Sequence, residues 1–200
     1  MEIVLATRNK KKIEEIRRIT ADLPISILSL DNFPDCPETV EDTDTFEGNA
    51  VKKASEVCAF TGKPALADDS GLEVDALGGA PGVFSARYAG ATEGRIDVKN
   101  CEKLLSELKN VPDEKRGARF VCYMALAFPD GSVKTFFGYA EGCIGREPKG
   151  KMGFGYDPVL IPKNYNKTFA EMSGDEKDRL SHRGKALLKL ATTLQSLLDL

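Results

Sequence analysis

The sequence predicts an α/β protein with a mixed sheet, and three observations carry that prediction. Short apolar runs alternate with segments of helical apolar spacing along the chain. Asp130-Gly131 stands between two strand-like runs and marks an antiparallel hairpin. Hydrophobic residues make up 42% of the 200 positions, enough to build a core at this length. Helices alternating with strands, plus one hairpin, give a sheet of mixed direction.

Each element has its own signature. Glu2-Ile3-Val4-Leu5-Ala6 reads as a first strand, having neither the basic region nor the cleavage site of a signal peptide. Ile13, Ile16 and Ile19 follow at helical spacing between charged residues. Residues 25–30 form a second strand, and the acidic, proline-bearing stretch 31–44 forms a loop. A helix runs from Thr45 to about Phe60 with Phe46, Ala50, Ala54 and Val57 on one face, and Thr61-Gly62-Lys63-Pro64 stops it. Ala65-Leu66-Ala67 is a short buried strand that ends on Asp68-Asp69-Ser70-Gly71. After a glycine-rich loop from Gly78 to Gly90, residues 95–109 make a helix with Ile96, Val98, Cys101, Leu104, Leu105 and Leu108 as its apolar set. The hairpin occupies 118–128 and 133–140, and Pro158-Val159-Leu160-Ile161 is a further strand. Ser181 caps a last amphipathic helix carrying Leu187, Leu190, Leu194 and Leu197. The chain shows no repeat and no linker, so a single domain over 1–200 is expected.

Composition excludes several functions. The 28 basic residues against 31 acidic ones leave a net charge of -3, which argues against a nucleic-acid partner. No apolar run approaches the roughly 18 residues of a membrane span. Cys36, Cys58, Cys101, Cys122 and Cys143 form no CxxC pair, which argues against zinc and against a disulfide framework and fits a reducing cytoplasm.

Four polar segments are candidates for chemistry. Thr7, Arg8, Asn9, Lys10, Lys11 and Lys12 combine hydroxyl, amide and basic groups at a helix start, which suits phosphate and equally suits a helix cap with a solvated basic face. Asp68-Asp69-Ser70 puts two carboxylates at the exit of a buried strand, with Gly71 allowing a break that would bring them to one point. Such a pair calls for a cation or a shared proton between the carboxylates, magnesium preferring oxygen ligands of this kind, and it equally suits a turn with Asx-type hydrogen bonds. Lys53 shares a helix face with Asn49, four residues earlier. Phe154, Gly155, Tyr156 and Asp157 lie in a tight glycine-bearing turn whose aromatic faces can stack on a nucleobase or plug the core edge. His182, the only histidine, and Arg183 sit at a helix start, where the dipole keeps the imidazole neutral and both side chains can donate to a carbonyl oxygen. By contrast, Gly145 to Lys151 imitates a Walker A loop but has Pro148 inside it and Met152 in place of the Ser or Thr.

Taken in order, seven motifs recur in one family: Thr7-x-Asn9-x-x-Lys12, Phe46-x-x-Asn49-Ala50-x-x-Lys53, Ala67-Asp68-Asp69-Ser70-Gly71-Leu72, Gly78-Gly79-Ala80-Pro81-Gly82, Ser85-Ala86-Arg87-Tyr88, Gly153-Phe154-Gly155-Tyr156-Asp157-Pro158 and Ser181-His182-Arg183-Gly184. From residue 3 to about residue 190 the chain resembles the inosine/xanthosine triphosphate pyrophosphatases. The resemblance implies two lobes on a long curved mixed sheet flanked by helices, a nucleotide cleft between the lobes, and a cytoplasmic homodimer. It also implies hydrolysis of ITP, dITP or XTP to monophosphate and pyrophosphate with Mg2+, or alternatively Mn2+. By matching position, Thr7 to Lys12 would cradle the phosphates and Lys53 would neutralise them. Asp69 would be general base and metal ligand, with Glu41 and Asp68 helping to hold the metal. Ser70, Phe154 to Asp157, Lys177, His182 and Arg183 would contact the nucleotide. Arg8 and Lys11 stand where family members often have glycine, making this phosphate segment more basic. Two other functions fit the same resemblance: a non-catalytic nucleotide sensor, and a pyrophosphatase of this fold for pyrimidine or modified nucleotides.

Overall fold

A computed structural model describes residues 1–198, the last two of these by backbone alone. The strands are β1 (Glu2–Leu5), β2 (Ser26–Ser29), β3 (Ala65–Val74), β4 (Gly117–Ala127), β5 (Val133–Ile144) and β6 (Leu160–Pro162). The helices are α1 (Lys10–Ile19), α2 (Phe46–Thr61), α3 (Ile96–Glu107), α4 (Gly174–Leu180) and α5 (His182–Leu198). The strands form one sheet of order β2-β1-β3-β4-β5-β6. β1 is parallel to β2 and β3, and β6 is antiparallel to β5, so the sheet is mixed as expected. Among the described residues no helix is long and apolar enough to cross a membrane.

The chain divides into two compact units. The first comprises Met1–Asp69, Cys122–Gly138 and the chain from Arg183 onward, and the second comprises Ser70–Val121 and Tyr139–His182. In the first unit the strands bury both faces, so alternate residues enter different cores. Ile3, Leu5, Leu66, Cys122, Met124 and Leu126 pack with Ile13 and Ile16 of α1 and Leu187, Leu190 and Leu194 of α5. Their neighbours Val4, Ala65, Ala67, Ala125 and Ala127 pack instead with Ala50, Ala54, Val57 and Cys58 of α2. Each buried leucine or isoleucine contributes about 2 kcal/mol by leaving water. Helix α2 is bounded as its sequence dictates. The Thr45 hydroxyl accepts from Gly48 N–H at its start, and Gly62 ends it in the left-handed conformation at φ 65°.

The second unit has one core, in which Leu72 and Val74 of β3, Leu104 of α3, Phe120 of β4 and Ile144 of β5 surround Tyr156 and Phe169. Buried Arg116 joins three segments of this unit. Its guanidinium donates to the main-chain oxygens of Leu108 at 2.6 Å, Ile144 at 2.7 Å and Gly145 at 2.7 Å.

Two expectations need correction, and two elements were not foreseen. β3 does not stop at Asp68; it continues through Gly71 to Val74, because Leu72 and Val74 are themselves buried and extend the apolar alternation. Val98 is 38% exposed and lies off the buried face of α3, where buried Asn100 lies beside Cys101 and Leu104. Helix α4, capped by the Ser173 hydroxyl, has too few apolar residues to show a periodicity. Within the glycine-rich stretch, Gly82–Arg87 winds into a 3-10 turn. The side chain of Leu197 lies outside the described residues. The Walker-like stretch is irregular and no helix follows it, as its missing hydroxyl suggested.

Candidate functional site

Because β3 runs unbroken, its two aspartates point to opposite faces of the sheet. This alternation organises the first unit's polar groups into two clusters.

Asp68 shares the face that carries α1 and α5. It is buried, and each carboxylate oxygen meets a cation: Oδ1 lies 3.0 Å from Lys12 Nζ, and Oδ2 accepts from Arg183 Nη2 at 3.0 Å and Nε at 3.3 Å. Arg183 Nη1 donates in turn to Glu15, which is also buried. Burial by itself would raise the Asp68 pKa, but Lys12 and Arg183 overcome it and hold the carboxyl far below the ordinary range. For Arg183, burial opposes the charge while Asp68 and Glu15 favour it, and the net effect raises its pKa. Asp68 and Arg183 are therefore held as an ion pair.

Asp69 faces α2. Its Oδ2 accepts from Asn49 Nδ2 at 3.1 Å, and its Oδ1 lies 3.7 Å from Lys53 Nζ. Asn49 and Lys53 are one helical turn apart, so a single face of α2 supplies both. Lys53 Nζ also donates to Glu41 Oε1 at 2.6 Å and to the Asp68 main-chain oxygen at 2.8 Å. Asn49 Oδ1 accepts from Thr43 N–H at 3.1 Å and from its hydroxyl at 2.9 Å, which ties the acidic loop to the helix. Burial pushes the Asp69 carboxyl up and the Glu41 charge adds to this, against the lowering effect of Lys53, and the net shift is upward. Adjacent carboxyls on one strand are thus driven in opposite directions. Lys53 itself is raised: burial lowers its pKa, but Asp69, Asp68 and Glu41 outweigh that.

The phosphate candidates at the start of α1 are organised by Asn9, whose Oδ1 accepts from Lys11 N–H at 3.0 Å and Lys12 N–H at 3.3 Å. Asn9 N–H donates to the Thr7 hydroxyl at 3.2 Å. Lys10 and Lys11 are exposed, whereas Arg8 donates to the Cys36 oxygen at 3.0 Å and so turns toward the 31–44 loop.

In the second unit, Ser70 is half-buried on β3. Asp157 Oδ2 accepts from Phe154 N–H at 2.8 Å and pairs with Lys177 Nζ at 2.7 Å. The same ammonium lies 4.9 Å from the centre of the Phe154 ring. Gly153 has φ 73°, and a Cβ there would lie 2.0 Å from Asp157 Oδ2, so only glycine fits. Tyr156 was expected against the nucleotide; its ring is instead in the core at 4% exposure, with the hydroxyl donating to Ser85 O at 2.9 Å. His182 is 6% exposed and stacks on Phe120, the ring centres 4.7 Å apart.

Local sequence reasoning passed over Glu15 and the full role of Asn49. The signal for Glu15 was its place one turn after Lys12 on α1 and beside buried Ile16. Among the described residues, no three His, Cys, Asp or Glu side chains are grouped so as to hold a metal ion. The hard oxygens of Glu41, Asp69 and the Asp68 main chain nonetheless converge on one cation, the Lys53 ammonium.

Residues 3–193 match the Ham1 family. The chain is 50% identical over 197 residues to a dITP/XTP pyrophosphatase of Desulforamulus reducens, covering 98% of this chain and 97% of the relative. It is 53% identical over 188 residues to a dITP/XTP pyrophosphatase of Geobacter sulfurreducens, covering 94% of each. Among solved structures, a HAM1 protein from Coxiella burnetii superposes with a TM-score of 0.89 at 42% identity, covering 98% of this chain and 99% of that one. The Staphylococcus aureus Ham1 protein gives 0.87 at 38% identity, again covering 98% and 99%. Matched nearly end to end in both sequence and fold, the chain belongs to the Ham1 family.

Proposed function

We propose that this chain hydrolyses deaminated purine nucleoside triphosphates (dITP, ITP and XTP) to the monophosphate and pyrophosphate, removing them from the nucleotide pool of the cytoplasm. The observation that carries the reading is the divergent pair on β3: Asp68 locked as an anion, and Asp69 left with a raised pKa beside Lys53 and Asn49. The names of the close relatives support the same substrates.

In this reading Asp69 accepts the proton of a water that attacks the α-phosphorus, its raised pKa making it a stronger base than an ordinary carboxylate. Lys12 and Lys53, with exposed Lys10 and Lys11, neutralise the triphosphate. Thr7 and Asn9 shape that segment. Glu41 and Asp69 fit Mg2+, with Mn2+ as an alternative, because both already turn oxygens toward a cation. The metal would supply charge neutralisation for the departing pyrophosphate. Asp68 contributes its main-chain oxygen to that set, since both carboxylate oxygens are engaged by Lys12 and Arg183.

The base falls to the second unit. Phe154 offers a ring face, Lys177 and Asp157 steady it, and Ser70 is a further nucleotide contact. His182 donates to the oxygen at position 6; adenine presents an amino group there, leaving a donor unsatisfied at about 1–3 kcal/mol. Arg183 acts through Asp68 rather than on the base. In this reading the chain is a single catalytic domain, and the protein works as a homodimer.

The test is pyrophosphate release from a panel of dITP, XTP, dATP, dGTP and dUTP with magnesium. Release from dITP and XTP, abolished by chelator and by Asp69→Asn, is the expected result. Equal turnover of all five, or full turnover in Asp69→Asn, would overturn the reading.

A further inference from the structure

We propose that Asp97 and Cys101 are positioning residues that grip Gly155 and thereby hold the aromatic turn 153–157 in the conformation that receives the purine. The inference rests on the reading of that turn as the base-binding segment. Gly155 is left-handed, with φ 60°, and is free to rotate unless something fixes its peptide groups. Both are fixed from α3. Its N–H donates to Asp97 Oδ2 at 2.9 Å, and its carbonyl accepts from Cys101 Sγ at 3.4 Å.

Asp97 and Cys101 are four residues apart, so one face of one helix holds both ends of the glycine. Burial, with the charges of Asp97 and Asp157, pushes the Cys101 thiol up to about 12, so it remains an S–H donor at neutral pH. The helix is itself anchored: Asn100 Oδ1 accepts from Ala89 N–H at 2.8 Å, and its Nδ2 donates to Ala86 O at 3.1 Å. The peptide plane that Asp97 orients is the one joining Phe154 to Gly155. Fixing it constrains the Phe154 backbone and so the direction from which its ring projects.

Releasing the grip leaves the Phe154 ring misoriented in the free protein, so substrate binding weakens while the attacking groups on the first unit are untouched. Asp97→Ala, Asp97→Asn and Cys101→Ala are compared with wild type by steady-state kinetics on dITP and by amide exchange of Gly155. Asp97→Ala is expected to raise KM about tenfold, the cost of one hydrogen bond to a charged acceptor, with kcat within about twofold. Asp97→Asn retains an acceptor oxygen and should recover KM to within about threefold. Gly155 exchange should accelerate at least about tenfold in Asp97→Ala, and Cys101→Ala should raise KM less than Asp97→Ala does. An unchanged KM with unchanged Gly155 exchange in Asp97→Ala overturns the proposal, as does a KM defect that Asn fails to recover. If wild type cleaves neither dITP nor XTP, the functional reading falls, and the exchange rate still decides whether Asp97 holds the turn.

Discussion

Replacing Asp68 by Asn separates the two aspartates of β3 most sharply. The substitution conserves shape and removes one charge from the run Lys12–Asp68–Arg183–Glu15. Asp68 is fully buried with both oxygens against cations, so Lys12 and Arg183 would face an amide that cannot answer two donors' charges. Removing one partner of a buried pair costs about 3–5 kcal/mol. At about 2–4 °C per kcal/mol for a chain of this size, Tm falls by about 6–20 °C. Asp69→Asn should differ. There the fold disfavours the charged form, so neutralising it changes stability by about 1 kcal/mol or less. Urea denaturation of both variants in excess chelator measures the contrast without metal.

The pH dependence has a definite sign. Asp68 has a folded pKa below its unfolded value of about 3.9, so its contribution is complete above that pH and is lost as pH falls through the folded value. The gap between wild type and Asp68→Asn should therefore close on acidification. Adding Arg183→Met to Asp68→Asn should cost less than the sum of the single losses, because the two share one pair. A loss under about 1 kcal/mol in chelator, or one that appears only with magnesium, would refute the assignment of Asp68 as an internal anchor.

Four other outcomes follow. Asp69→Asn should lower kcat by about 10²–10⁴-fold. In wild type, kcat/KM should rise as pH passes through the Asp69 pKa, at a midpoint above about 3.9, which a pH–rate profile checks. His182→Ala should reduce the preference for ITP over ATP by about 5–150-fold, the worth of one mismatched donor, measured as a ratio of kcat/KM values. Gly153→Ala should cost about 1–3 kcal/mol and raise KM, since its methyl would displace Asp157 from Phe154 and Lys177; denaturation and kinetics both report it.

Local periodicity made most of the fold legible. Ile13 and Ile16 mark the buried face of α1, and the continuous apolar run Ala65-Leu66-Ala67 marks the start of β3. Gly71 misled because glycine permits a break without requiring one, and Leu72 and Val74 carry the strand onward. The site was legible as residue types more than as partnerships. Lys12, Asp68 and Arg183 could each be singled out, but Glu15 and its partner Arg183 are 168 positions apart, beyond any spacing rule. Tyr156 looked like a ligand contact because aromatics beside glycines serve stacking and packing alike, and only burial distinguishes the two uses.

Helix α2 meets the sheet through alanines: Ala50 and Ala54 on the helix, with Ala65, Ala67, Ala125 and Ala127 beneath. The thinness of that layer acts as a spacer, bringing the α2 backbone low enough for Asn49 and Lys53 to span to Asp69. Thickening it by one isopropyl group, as in Ala54→Val or Ala67→Val, would lift the helix and lengthen that span without altering any group that performs chemistry. Methyl-sized side chains at these positions therefore set the reach from α2 to Asp69, and the proposed hydrolysis should register a change in them before folding does.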